Sequence, residues 1–106
     1  MGKMYYTYMV RCEDNSIYTG ITTDLKRRLS EHQAKNEKSA KYTLNHTALK
    51  FEAAWESETR SAASKLEYNL KKLKKVQKEN LIKDTSNLAL MLENKLDCSE
   101  YKIVEI

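Results

Sequence analysis

Alternation of apolar and polar positions organises the first part of this chain. Residues 5–12 (YYTYMVRC) are aromatic and β-branched and predict a strand. Residues 16–21 (SIYTGI) predict a second. Glu13-Asp14-Asn15 between them is turn chemistry, so the pair predicts an antiparallel hairpin. From residue 24 to 35 the period changes to that of a helix, capped by Thr22 or Thr23, with Asp24 suited to the first turn. Leu25, Leu29 and His32 lie along one side of it, at i, i+4 and i+7. Residues 36–48, including His46, are polar and predict a loop. Residues 49–56 (LKFEAAWE) alternate again and predict a third strand, with Leu49, Phe51, Ala53 and Trp55 on one face. Helical spacing returns over 59–73, with Ala63, Leu66, Leu70 and Leu73 inward, and over a shorter stretch at 75–83. Residues 87–94 are compatible with a further turn or two of helix and 100–106 with a strand.

Loop length in the hairpin decides which side chains share a face. A two-residue loop pairs Cys12 with Ile17 and sets Tyr8 and Tyr18 on opposite faces. A three-residue loop pairs Cys12 with Ser16, Val10 with Tyr18 and Tyr8 with Gly20, bringing both phenols to one face. Asn15 tolerates the left-handed backbone that the longer loop needs, so that loop is expected. Gly20, one of only two glycines, marks a place where a side chain would be in the way.

The chain has 106 residues, enough for one small domain. A mean hydropathy of −0.75 fits a thin core, and no apolar run reaches the length of a bilayer span. No secretion signal is evident, and Cys12 and Cys98 lack metal or redox spacing. A cytoplasmic protein with reduced thiols is expected. The net charge of +4 is uneven. Residues 1–56 carry nine basic and seven acidic side chains, residues 57–83 eight and three, and residues 84–106 two and five. The excess positive charge therefore sits in the 57–83 helical stretch, where it can attract a polyanion. The same lysines could simply solvate a helix. Residues 84–106 form an acidic extension expected to pack on the domain spanning 1–83. A narrower possibility is that this extension covers the basic face and limits nucleic-acid access.

Hydrolysis of a phosphodiester needs a base for water, neutralisation of the phosphoryl oxygens and help for the leaving group. Tyr18 precedes Gly20 and offers a phenol, though at a pKa near ~10 it is a poor base without a cation nearby. Arg28 offers a planar, permanently charged fork and lies one turn before His32, which could hold a tyrosine hydroxyl or shuttle a proton. Lys26 and Arg27 flank it. Glu67 stands among Lys65, Lys71 and Lys72, and a lone carboxylate suits one Mg²⁺ that keeps several waters. Each residue also has an ordinary reading. Tyr18 could be a packed sheet residue, Arg28 a solvated helix arginine and His32 a packing residue. Glu67 could be an i,i+4 ion-pair partner of Lys71.

The stretches YYTYMVRCEDNSIYTGITTDLKRRLSEH and, later, FEAAWE and SAASKLEYNLKKLKKVQKENLI resemble the GIY-YIG nuclease family over roughly residues 4–83, and most resemble its small stand-alone bacterial members. Tyr6-Thr7-Tyr8 occupies the place of Gly-Ile-Tyr, and Tyr18-Thr19-Gly20 that of Tyr-Ile-Gly. Tyr6 and Thr7 depart from that pattern. Asn69 and Asn80 are candidates, without a spacing match, for an asparagine that other branches carry. The resemblance implies an α+β fold, a three-stranded antiparallel sheet flanked by helices. It implies an endonuclease that hydrolyses DNA with one divalent metal, Mg²⁺ or Mn²⁺. Tyr8, Tyr18, Arg28 and His32 would then be catalytic and Glu67 the metal ligand. Lys26, Arg27, Lys71, Lys72, Lys74 and Lys75 are the residues expected to meet the DNA, including branched or single-stranded forms. With no second DNA-binding domain in view, weak binding, recognition of a structured nucleic acid or a partner protein supplying the target is expected. Two alternatives use the same residues differently. One is a non-catalytic nucleic-acid-binding module. The other is a protein-interaction domain marked by an exposed apolar patch at 88–92.

Overall fold

The computed structural model describes residues 3–34 and 48–105. Strands β1 (Tyr5–Cys12) and β2 (Ile17–Thr22) form the hairpin. Its register is the one that the three-residue loop demands. Val10 faces Tyr18 and Tyr8 faces Gly20. The Cys12 amide donates to the Ser16 carbonyl at 2.9 Å, and Asn15 takes the positive φ of 69°. Asp14 closes the turn by accepting from the Ser16 amide at 3.1 Å and hydroxyl at 2.5 Å.

Helix α1 (Leu25–Ala34) follows. Its cap differs from the expected one. Asp24 accepts from the Arg27 amide at 3.1 Å, while Thr22 Oγ1 accepts from the Asp24 amide at 3.1 Å. The carboxylate thus caps the helix, and Thr22 braces the residue that does so. His46, most of the expected loop and the predicted helix end at Lys35 lie outside the described residues.

Strand β3 (Ala48–Ser57) pairs antiparallel with β1, and the two-residue β4 (Lys102–Ile103) pairs with β3. The sheet has four strands in the order β2-β1-β3-β4, one more than expected, because the acidic extension returns to pair with the outer edge of β3. The expected single face of β3 is also broken. The register shifts between Met9 and Val10 and again between Arg11 and Cys12. These are bulges, each adding one unopposed residue to the strand. Ala53 and Trp55 therefore face Met9, whereas Phe51 joins Tyr8, Val10 and Ala54 on the other side. Leu49 is left about half exposed, at 48%.

Two cores result. One face of the sheet packs on α1 through Tyr8, Val10, Cys12, Leu25 and Leu29. The other lies under α2 (Arg60–Lys71), α3 (Lys75–Lys83) and α4 (Asn87–Leu92). Ala62, Leu66, Leu70, Leu81, Leu88 and Leu92 close over Met9 and Trp55 there. Thr59 caps α2 by accepting from the Ala62 amide at 3.0 Å. Carbonyls of the first turns of α2 are taken by Tyr101, whose hydroxyl donates to Ala62 at 2.6 Å, and by Thr7, which donates to Ala63 at 3.1 Å.

The extension 84–106 thus supplies core residues (Leu88, Leu92 and Tyr101) and a sheet strand, which is ordinary packing rather than a cover over the basic face. Its apolar 88–92 run forms no continuous patch. Leu88 and Leu92 are buried, and Leu90 alone stands at 81% exposure. No helix among the described residues is long and apolar enough to cross a membrane.

Candidate active site

Four of the residues singled out from the sequence meet at the β2 edge of the sheet. Tyr8 is fully buried. Its hydroxyl lies 2.7 Å from His32 Nε2 and accepts from Arg28 Nε at 3.4 Å. The Arg28–His32 spacing of one helical turn is what lets α1 present both groups to one phenol. Tyr18, half-buried, stacks at a tilt beside them, its ring 6.3 Å from Tyr8 and 5.4 Å from His32. Phe51, delivered by the bulge, packs edge-on to Tyr8 at 5.1 Å. The reason for Gly20 is now concrete. A Cβ there would lie 2.6 Å from the Tyr8 hydroxyl and 2.8 Å from Cζ. The glycine lets the phenol, not a ligand, come close to the strand.

Burial sets the electrostatics. It pushes Tyr8 up to about 12, against the opposing pull of the Arg28 hydrogen bond; the nearby Tyr18 and Glu67 push the same way. Burial, then the Arg28 charge, pushes His32 down to about 4. Both rings are therefore neutral near pH 7. With Arg28 Nε donating to the Tyr8 oxygen, the phenolic proton is best placed on the side of His32 Nε2, which accepts it as the neutral ring. Arg28 is itself tied to Glu31 at 3.0 Å, and Glu31 also lies 3.8 Å from Arg27.

Glu67 reaches the site from α2 by charge rather than by contact. It opposes ionisation of Tyr8 and pairs with Lys71 at 3.4 Å, the ordinary i,i+4 pairing. Lys71 Nζ in turn lies over the Tyr18 ring at 5.8 Å. Among the described residues no group of three or more His, Cys, Asp or Glu side chains converges as a metal cage. The donor chemistry does fit a single hard cation. A partly exposed carboxylate oxygen can hold one Mg²⁺ or Mn²⁺ whose other positions go to water and phosphate, once Lys71 gives way.

The basic residues divide. Lys26 and Arg27 are exposed on α1. Lys72 stands over the exposed Tyr68 ring at 4.3 Å. Lys74 caps α3, its amide donating to Gln77 at 2.8 Å. Lys75 is engaged in the fold, donating to the Asn15 carbonyl and lying 3.9 Å from Glu79.

Sequence reasoning missed two partners. Glu31, one turn from Arg28, was within reach of an i,i+3 reading. Arg11 was not. Its guanidinium is forked between Glu52 at 2.9 Å and Glu79 at 2.6 Å, and it also donates to Asn15. It thereby ties the hairpin to α3, and no local spacing announces a pairing over that sequence distance.

Comparison with known proteins shows the family to which the chain belongs. A family profile described as the GIY-YIG catalytic domain matches residues 4–80. The chain belongs to the GIY-YIG family, a class of nuclease-type domains. Within that class it is similar to small proteins named UPF0213. One from Fusobacterium nucleatum is 43% identical over 90 residues, covering 85% of this chain and 88% of its own. One from Yersinia enterocolitica is 40% identical over 95 residues, covering 89% and 96%. The solution NMR structure of a UPF0213 protein from Bacillus halodurans shares 36% identity over 76% of this chain and 83% of its own, with a TM-score of 0.49.

Proposed function

We propose that this domain is an endonuclease that hydrolyses phosphodiester bonds in DNA with one divalent metal on Glu67. The observation that carries the reading is the buried relay Arg28–Tyr8–His32, held at 3.4 and 2.7 Å. The buried Tyr8–His32 pair packs in the core and also fixes the direction in which Arg28 points. Arg28 then meets the scissile phosphate with its charge already desolvated and aligned. Water attacks phosphorus, the bond to the leaving oxygen breaks, and that oxygen takes a proton. Tyr18, the phenol nearer solvent, handles the proton of the attacking water, while Tyr8 and His32 position Arg28. The metal, when bound at Glu67, neutralises charge on the phosphoryl oxygens and acidifies water.

The test is cleavage of plasmid, branched and single-stranded DNA in Mg²⁺ by the wild type, Arg28→Ala and Glu67→Ala. Loss of about 10²–10³-fold is expected for Arg28→Ala, by analogy with removal of one transition-state donor. Cleavage that survives both substitutions would refute the assignment. A second reading, a nucleic-acid-binding module without catalysis, is favoured by one observation, the Glu67–Lys71 pair at 3.4 Å. Binding that persists in EDTA with no product would establish it. In either case a partner protein supplying target choice suits so small a domain.

A further inference from the structure

Beside the Arg28 relay, where the ends of β2, α1 and α2 meet, the surface opens into a groove of about 290 Å³. Thr22, Thr23, Arg27, Arg28, Glu31 and Arg60 line it. Three guanidinium groups thus face one carboxylate, and that carboxylate already serves Arg28 and Arg27. Arg60 has no ion-pair partner among the described residues. It is also the first residue of α2, where the positive end of the helix dipole repels a cation. Stability therefore does not account for Arg60. An anion in the groove would, because it would be met by Arg60 and Arg27 together, with Thr22 and Thr23 at its margin. Arg28 belongs both to this groove and to the Tyr8 relay, so the two sites are contiguous through one side chain.

We propose that the groove is a second phosphate subsite, which holds the phosphate adjoining the scissile one on a single DNA strand, with Arg60 and Arg27 as anchors. The proposal rests on the nuclease reading for its register, but it concerns binding and is tested without cleavage. The probe is a fluorescein-labelled single-stranded 12-mer, titrated by anisotropy in EDTA across a range of salt. A set of the same oligomers carries one neutral methylphosphonate at each successive position. Arg60→Gln should bind about 3–10-fold more weakly, with a salt slope shallower by about 0.7, the loss of one phosphate contact on a single strand. It should also lose sensitivity to the methylphosphonate at one position, which the wild type retains. Its thermal midpoint should stay the same or rise, because a cation leaves a helix N-terminus, and that excludes misfolding as the cause. Arg27→Gln should act at the same methylphosphonate position.

Wild-type affinity and slope in Arg60→Gln would overturn the subsite. So would weakening with an unchanged methylphosphonate pattern, since that reports general charge. No binding by the wild type at low salt would overturn both the subsite and the nuclease reading. Binding with the expected pattern but no cleavage in Mg²⁺ would uphold the subsite and sink only the catalytic assignment.

Discussion

His32 makes the stability of this domain depend on pH between its ordinary pKa of 6.5 and the lowered value in the folded protein. The ring is fully buried and its pKa is lowered from 6.5 to about 4. The unfolded chain takes up the proton as pH falls below 6.5, and the folded protein refuses it until about 4. Acid therefore favours unfolding. The contribution of the neutral, hydrogen-bonded ring is fully present above 6.5 and is lost progressively as pH falls towards 4. Integrating one proton between pH 7 and pH 5 gives a loss of about 2 kcal/mol, with a steepest slope of about 1.4 kcal/mol per pH unit. The assay is urea unfolding, followed by the fluorescence of Trp55, the single and buried tryptophan. It is run at constant ionic strength from pH 7 to 5, on the wild type and on His32→Gln. The glutamine keeps a polar group towards the Tyr8 hydroxyl and cannot titrate. Subtracting the two curves cancels His46 and the carboxylates. The difference should fall by about 2 kcal/mol across the window. A flat difference would mean that folded His32 titrates near its ordinary value, and the neutral relay with Tyr8 would be wrong.

Three shorter predictions follow from other contacts. Gly20→Ala drives a Cβ to 2.6 Å from the Tyr8 hydroxyl, so it should cost about 1–3 kcal/mol in urea unfolding, and a cost near zero would show that the ring can retreat. Arg11→Met leaves Glu52 and Glu79 facing each other without their shared cation. Because the site is partly exposed, a loss of about 2 kcal/mol is expected, and Arg11→Lys should recover only part of it, for want of the fork. Lys71→Met frees Glu67 from its 3.4 Å partner. Mn²⁺ should then bind up to about 5-fold more tightly, the scale of an exposed helix ion pair, as read by electron paramagnetic resonance. Unchanged affinity would place the metal elsewhere.

What was legible in the sequence was whatever a short-range rule controls. The parity of a three-residue turn brought Tyr8 opposite Gly20 before any coordinates, and one helical turn set Arg28 and His32 side by side. Alternation failed in β3 because bulges are not written in hydrophobic period. Phe51 and Trp55 look equivalent there, yet they face different cores. The fourth strand was weakly signalled, because two residues pairing with the edge of β3 need little pattern of their own. Arg11 was invisible as an organiser, since its partners come from β3 and α3. Arg60 was counted only as one more charge in a basic stretch. The family resemblance rests on Tyr8, Tyr18, Gly20, Arg28, His32 and Glu67, but nothing local says which phenol His32 holds.

That last choice governs how protons can move. His32 holds Tyr8, the phenol with no exposure. Moving the Tyr8 proton to His32 would make a phenolate whose acid sits at about 12 and an imidazolium whose pKa is about 4. Burial raises the one and lowers the other, so both shifts oppose transfer in the resting site, and the pair is not a resting base. Tyr8 is better understood as a neutral strut: it accepts from Arg28 Nε and donates to His32, while Glu31 holds Arg28 Nη1. Tyr18 lies nearer solvent, with the Lys71 ammonium 5.8 Å from its ring centroid. The two tyrosines are therefore not interchangeable. Tyr8→Phe should act mainly through the aim of Arg28, weakening binding with a shallower salt slope as well as slowing cleavage. Tyr18→Phe should slow cleavage and leave binding in EDTA unchanged. If both substitutions weaken binding equally, the division of labour between strut and proton handler fails.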